Sequence, residues 1–382
     1  MTDRSTKRES GFSLLEMVIA MALGTLVLGA AVQLYSQGVA ATWTVSQRAE
    51  MQQDFRAASA MLTKDLSLAG SGLGNNVQIG LPTTSTTPVY GCDQSLKCYI
   101  NGTAAAYPKQ GSVPYLYGLI PGWKYGPTLN AAQGATDVVT VVYTDSGLFL
   151  NCYNVTVTSS TLVTFTLPSP LPTGCVLPSG VTAPQNVNDV VAGLTAGDLI
   201  WFTLTPAAGC NPCTPSPVVA EVTGAVTATS STTYTVPFAT GDVLKMNQTS
   251  AASGSLANVV GDVGTSKRIL VITYYIDNTL NPPRLMRQIS GHSPMPVAEN
   301  VVYLKFSYDL YNSNTETAVP DQADGGSGLS PALTPNQITK INIKHMAMDS
   351  TLKGAKGGYQ GLDLQTSVSA RDLTYSNGYP LQ

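Results

Sequence analysis

Charge is what this chain has least of. Only 11% of its 382 residues are Asp, Glu, Lys or Arg, and 20 basic against 23 acidic side chains give a formal charge of −3. No run of Lys and Arg occurs, which argues against general nucleic-acid binding, since that depends on clustered cations neutralising phosphates. Histidine is scarcer still: the chain has 2, His292 and His345, and neither sits in a metal-ligand spacing. His345 lies within Ile341-Asn-Ile-Lys-His-Met-Ala-Met, where a strand residue is the natural reading. G-x-S-x-G, H-E-x-x-H and P-loop patterns are absent, so no catalytic residue, cofactor or metal site is assigned. Proline is missing before Pro82, which leaves a long N-terminal stretch free to be helical.

What is abundant points outside the cytoplasm. Gly (35) and Pro (24), with many Ser, Thr and Asn, describe a β-rich, loop-rich extracytoplasmic protein. The 6 cysteines fall into close sequence pairs: Cys92 and Cys98, Cys152 and Cys175, Cys210 and Cys213. An even count in local pairs favours disulfides within surface loops, although six cysteines allow about 15 connectivities. Cys210-Asn-Pro-Cys213 also has C-x₂-C spacing, but a zinc site needs a second pair of ligands.

Between Phe12 and Tyr35 the only charge is Glu16. At ~1.5 Å per residue this stretch is about 36 Å long, enough to cross a bilayer. Arg4, Lys7 and Arg8 precede it and keep the leader on the cytoplasmic side. Ala20, Gly24, Thr25 and Gly29 put small residues where helices approach closely in lipid. Farther on, Met51, Phe55, Ala58, Leu62, Leu66 and Ala69 follow helical spacing, while Gln52, Gln53, Asp54, Arg56, Lys64 and Asp65 largely take other faces. The pattern predicts a near-continuous helix from about Ser13 to Ala69, most able to bend at Gly38 and stopped by Gly70-Ser71-Gly72. Gly70-Ser-Gly72-Leu-Gly74 follows a helix instead of joining a strand to one, so it reads as a helix stop and not as a phosphate loop.

Beyond the glycines the period changes to short β-type runs. Strands are expected at Asp137–Thr144, Tyr153–Leu167 (a hairpin), Asp198–Thr205, Val218–Val222, Lys267–Asp277, Arg284–Ile289, Val301–Leu310, Gln337–Met346 and Leu362–Ala370. An antiparallel sheet against the C-terminal half of the helix would bury the apolar stripe. Asp321 and Asp324 lie in a turn where a plain solvated turn or a calcium site are the two readings. The Val113–Tyr117 and Trp123-Lys-Tyr125 stretches offer either turn packing or an exposed recognition loop.

An ionised carboxylate in a membrane helix costs several kcal/mol and calls for a partner. Gly11-Phe12-Ser13-Leu14-Leu15-Glu16, with its basic leader and apolar helix, resembles the class III signal of type IV pilins and type II secretion pseudopilins. The resemblance implies cleavage after Gly11 by a prepilin peptidase and N-methylation of Phe12. It places the family's characteristic glutamate at Glu16. A cleaved Phe12 presents a positive amine, which Glu16 of a neighbouring helix, or of the same chain, can pair with. Lys267–Ile276, Arg284–Arg287, Val297–Val301, Leu304–Tyr308 and Leu364–Leu373 are together similar to the C-terminal region of PilW-type minor pilins.

The resulting expectation is an α+β, pilin-like fold with a long N-terminal helix packed on an antiparallel β-sheet domain. Its parts would be a leader at 1–11, a transmembrane and assembly helix at 12–69, and a periplasmic β-rich domain at 70–382, with 75–260 as a large insertion or second β subdomain. As a minor pilin it would prime type IV pilus assembly from the inner membrane and end in a tip or near-tip complex. The implied partners are other minor pilins, the major pilin and a tip adhesin. A type II secretion pseudopilin and a ligand-binding or adhesion module at the pilus tip are the alternatives. No enzymatic activity is expected.

Overall fold

The computed structural model describes residues 13–74, 78–83, 86–206, 216–251, 253–313, 315–353, 358–370 and 372–373. Gly11, Phe12, Cys210 and Cys213 lie outside the described residues. The chain divides into two compact units, residues 1–52 with 350–360, and residues 53–349 with 361–382.

One unbroken helix, Leu14–Ser67, runs through Gly38 and holds 54 residues, about 81 Å at ~1.5 Å each. Among the described residues it alone is long and apolar enough to cross a membrane. In its first part, Leu14, Leu26, Leu34 and Tyr35 are each more than two-thirds exposed.

The helix enters the second unit at Gln53. There Ala58, Leu62, Leu66 and Ala69 are fully buried and Phe55 is half-buried. Asp65 is buried with them. It stands seven residues after Ala58 and four before Ala69, on the same helical face, where the sequence pattern had set it among the polar residues. Its carboxylate accepts hydrogen bonds from the Tyr274 hydroxyl (2.7 Å), the Tyr143 hydroxyl (3.1 Å) and Arg287 Nε (2.8 Å). These partners come from three adjacent antiparallel strands, Val138–Thr144, Val263–Asp277 and Arg284–Ile289. Burial first, and the Asp65 charge second, push both tyrosine hydroxyls well above their ordinary range, so both remain donors.

The glycines after the helix fit it to the sheet. Gly72 has φ +74°, and a Cβ there would meet Thr144 Oγ1 at 1.8 Å. The Gly70 amide reaches the Val142 carbonyl at 2.9 Å, and the Thr144 amide reaches the Ser71 carbonyl at 2.9 Å. The stop is therefore also a splice onto the strand Val138–Thr144.

The 15-residue strand Val263–Asp277 organises the 11-stranded sheet. Its first half pairs with Leu199–Thr205 and Asn154–Ser159, and its second with Val138–Thr144 and Arg284–Ile289. Residues 75–260, expected as an insertion or second subdomain, thus supply strands to the sheet that the C-terminal part completes. Leu199 and Trp201 face one apolar cluster with Val219, Ile269 and Val271, while Ile200, Phe202 and Leu204 face another with Val218 and Ala220. That is period-2 alternation in strands buried on both faces. A four-stranded sheet follows in the order Thr317–Gln322, Val301–Asn312, Ile338–Lys353 and Tyr359–Ser369. The α+β architecture is that of a long N-terminal helix followed by antiparallel sheets.

Val113–Tyr117 and Thr317–Gln322 are strands that the sequence pattern did not announce, and each contains a proline. Thr317–Gln322 is an edge strand, where a missing N–H is tolerated.

Removing the acid at the helix–sheet junction should be costly, because it leaves a guanidinium and two hydroxyls buried without their acceptor. Asp65→Ala is expected to lower unfolding free energy by about 3–5 kcal/mol in denaturant titration. Asp65→Asn, which keeps an acceptor oxygen, should cost less.

Candidate assembly site and the domain it carries

At the start of the helix, Glu16 is engaged with its own backbone. The Ser13 amide donates to Glu16 Oε2 at 2.9 Å, and the Glu16 amide donates to Ser13 Oγ at 3.2 Å. This reciprocal pair is a capping box, which satisfies two N–H groups that a helix start leaves open. The carboxylate also stands where the helix dipole favours negative charge. The S-x-x-E spacing directly before an apolar run carries that signal in the sequence, beside the two Phe12 amine pairings considered for Glu16. Capping and pairing make different demands on Glu16: the cap needs an acceptor oxygen, and an amine partner needs the charge.

In the second unit, disulfides join Cys92 to Cys98 and Cys152 to Cys175. The first closes a largely exposed loop in which Asp93 is buried. Asp93 accepts from the Ser95 amide (2.9 Å), the Lys97 amide (3.2 Å), Ser293 Oγ (3.1 Å) and the Tyr99 hydroxyl. Next to it, Gln94 Nε2 donates to Glu221 Oε1 at 2.5 Å. Glu221 is wholly buried, and its other oxygen takes the Leu244 amide at 2.9 Å. Asp242 sits beside it, accepting from the amides of Met246 (2.6 Å) and Asn247 (3.0 Å). Burial, then the hydrogen bond and charge of Asp242, push Glu221 up to about 8. Asp242 is raised as well, mainly by burial. Two buried carboxyls held this way share a proton, since both cannot ionise cheaply.

Asp321 and Asp324 both have partners within the protein. Asp321 accepts from Ser307 Oγ at 2.5 Å and pairs with Lys344 Nζ at 2.7 Å, and the Lys344 hydrogen bond holds it below the usual carboxylate range. Asp324 takes the amides of Gly326 (3.0 Å) and Gly328 (2.7 Å) and the Ser327 hydroxyl (3.2 Å), the pattern of a turn-forming aspartate. No group of three or more metal-ligating side chains occurs among the described residues.

His345 Nδ1 lies 2.8 Å from Asp363 Oδ2 across neighbouring strands, with the Tyr303 ring 5.7 Å away. Serine, threonine and cysteine are absent from the described lining of the cavity beside it, so the pair has no nucleophile next to it there. His292 pairs with Asp198 at 3.0 Å. The tyrosine-rich stretch divides: Tyr117 is core, whereas Trp123 and Tyr125 are nearly half exposed, with Lys124 Nζ 4.2 Å from the Trp123 ring centre.

Residues 6–32 match the family model of the prokaryotic N-terminal methylation motif. No curated protein and no solved structure matches the chain. The motif and the apolar helix it overlaps support a type IV pilin-like or pseudopilin-like protein; the motif implies a prepilin peptidase substrate, and the helix fits membrane anchoring. Such a motif points to a structural role in assembly.

The buried acid pair makes stability depend on pH. The folded protein holds the Glu221 proton more tightly than the unfolded chain does, so stability should fall as pH rises from the ordinary glutamate range towards about 8. Thermal melts across that range should show the decline in the wild type and a flatter profile in Glu221→Gln.

Proposed function

We propose that the protein is a minor pilin of the PilW type. The observation that carries this reading is the methylation motif at 6–32 continuing directly into the apolar helix Leu14–Ser67. In this proposal a prepilin peptidase cuts after Gly11 and the new N-terminus at Phe12 is methylated. The chain waits in the bacterial inner membrane with its β-rich domain in the periplasm, then joins a type IV pilus. There it primes assembly with other minor pilins, at or near the tip, against the major pilin and beneath a tip adhesin.

The helix supplies lateral packing in this scheme, and the Glu16 carboxylate supplies axial register by pairing with the Phe12 amine of a neighbouring subunit. Pairing offsets the desolvation that each charge suffers alone in lipid. The Ser13–Glu16 capping box accommodates the same carboxylate before assembly. The similarity of residues 265–375 to PilW-type C-terminal regions favours this reading over a type II secretion pseudopilin. The chain itself catalyses no reaction.

Two variants of Glu16 separate capping from register. Glu16→Gln keeps an acceptor for the Ser13 amide and loses the charge, whereas Glu16→Ala loses both. Both are expected to be cleaved after Gly11, and both to enter sheared filaments at less than about a tenth of the wild-type level, the scale that losing a buried ion pair allows. Normal incorporation of the Gln variant would show that the charge sets no register. Pull-downs of the chain against candidate minor pilins address the complex, and failure to retain any of them would rule out the tip-complex version.

A further inference from the structure

Among the described residues, the sheets end in strands that are very short or carry a proline, with one exception. In the 11-stranded sheet the outermost strands are Ser216–Glu221, Met295–Glu299, Leu119–Gly122 and Thr227–Ala228. The first three contain Pro217, Pro296 and Pro121, and the fourth has 2 residues. The edges of the two smallest sheets are 2 or 3 residues long. In the four-stranded sheet, Thr317–Gln322 carries Pro320. Short edges and prolines keep unpaired N–H and C=O groups from pairing with another chain.

The opposite edge of the four-stranded sheet has none of these devices. Tyr359–Ser369 is 11 residues long, with Ile338–Lys353 on one side and no described strand on the other. It contains no proline, lysine or arginine, and its one charge is Asp363. Residues 361–369 of this strand lie in the second unit. Along them Gly361, Asp363, Gln365, Ser367 and Ser369 are exposed, whereas Leu362, Leu364, Thr366 and Val368 are half-buried. The edge therefore offers about 30 Å of open backbone beside an apolar row that is incompletely covered.

A row of backbone donors and acceptors at strand spacing is answered in full by another extended chain. The side chains decide which chain, because residues directly opposite each other must suit each other on both faces. Residues 361–369 suit themselves. In an antiparallel pair with a two-fold axis through Gln365, the middle residue, Leu362 stands opposite Val368 and Leu364 opposite Thr366 on one face. On the other face Asp363 meets Ser367 and Gly361 meets Ser369, so the two acids are kept apart. A parallel, in-register pair would instead set Asp363 beside Asp363, which repels. We propose that residues 361–369 pair edge to edge with the same segment of a second copy of this chain, antiparallel about Gln365. The contact goes beyond the assembly reading and depends neither on cleavage after Gly11 nor on filament incorporation.

The test uses the purified full chain in detergent. Gln365→Cys should link to its own copy under mild oxidation, because opposite residues of an antiparallel pair stand ~4.5–5.5 Å apart at Cα, within disulfide reach. Ser369→Cys, on the same face but opposite Gly361, should not link, and neither should Ala318→Cys, exposed on the proline-bearing edge. Sedimentation equilibrium reads the strength of the pairing. Gln365→Lys sets two ammonium groups against each other at the axis and should weaken dimerisation about threefold. Ser367→Lys sets each new lysine against Asp363 of the other copy and should tighten it by a similar factor. Opposite effects of one added charge, two residues apart on one exposed face, separate strand pairing from association of the apolar helices in detergent. Circular dichroism confirms that each variant is folded. Linking of Gln365→Cys no greater than that of the wild type would overturn the proposal. So would equal linking by Ser369→Cys or Ala318→Cys, the same effect from both lysines, or a wild-type chain that stays monomeric.

Discussion

The fold depends on one buried carboxylate, that of Asp65. It is the point where the helix end and three strands, Val138–Thr144, Val263–Asp277 and Arg284–Ile289, are tied by directional bonds as well as apolar burial. Apolar contact alone would let a helix slide or turn on a sheet, because Ala, Leu and Val surfaces tolerate small shifts. A carboxylate answered by two hydroxyls and a guanidinium has a single satisfying position. The association is costly to assemble and costlier to break, so it holds the helix end in one position on the sheet.

Two acids on the same helix work in opposite settings. Glu16, near the start, is exposed and accepts a backbone amide, in a segment long and apolar enough to cross a membrane. Asp65, in the last turns, is sealed inside the β-rich unit. The capped acid keeps an exchangeable partner, whereas the sealed one has its partners fixed at folding. In the proposed function this difference separates the part of the helix that changes neighbours from the part that carries the domain. The pair Glu221 and Asp242 adds a third setting, in which burial holds both carboxyls above their ordinary range.

Much of this architecture was legible in sequence. The helix expected from Ser13 to Ala69 is Leu14–Ser67, and the strand expected at Lys267–Asp277 is the later part of Val263–Asp277. Strong periodicity, a proline-free run and a glycine stop account for the first, and dense β-branched and aromatic residues for the second. What periodicity missed were the polar residues that tertiary contacts bury. Asp65 shares a face with Ala58 and Ala69, but a lone acid on an apolar stripe reads as tolerated exposure unless its partners, far away in sequence, are known. Glu221 ends a strand and gives no local hint that Gln94, in a disulfide loop, will cover it. The proline strands Val113–Tyr117 and Thr317–Gln322 were missed because proline lowers strand expectation without regard to sheet position. The segment 75–260 was set apart because it resembles no known pattern; pairing with Val263–Asp277, which no local pattern announces, is what places its strands in the sheet.

That central strand has a consequence for the order in which the domain can be made. Val138–Thr144, Asn154–Ser159 and Leu199–Thr205 all precede Val263–Asp277 in the chain, yet each pairs with it. A chain made from its N-terminus presents these three strands first, each with a local partner on one edge and the other edge open. The sheet closes only after the later strand arrives, so those edges stay unpaired until then. The domain is therefore most open to mispairing and proteolysis until that later strand is in place.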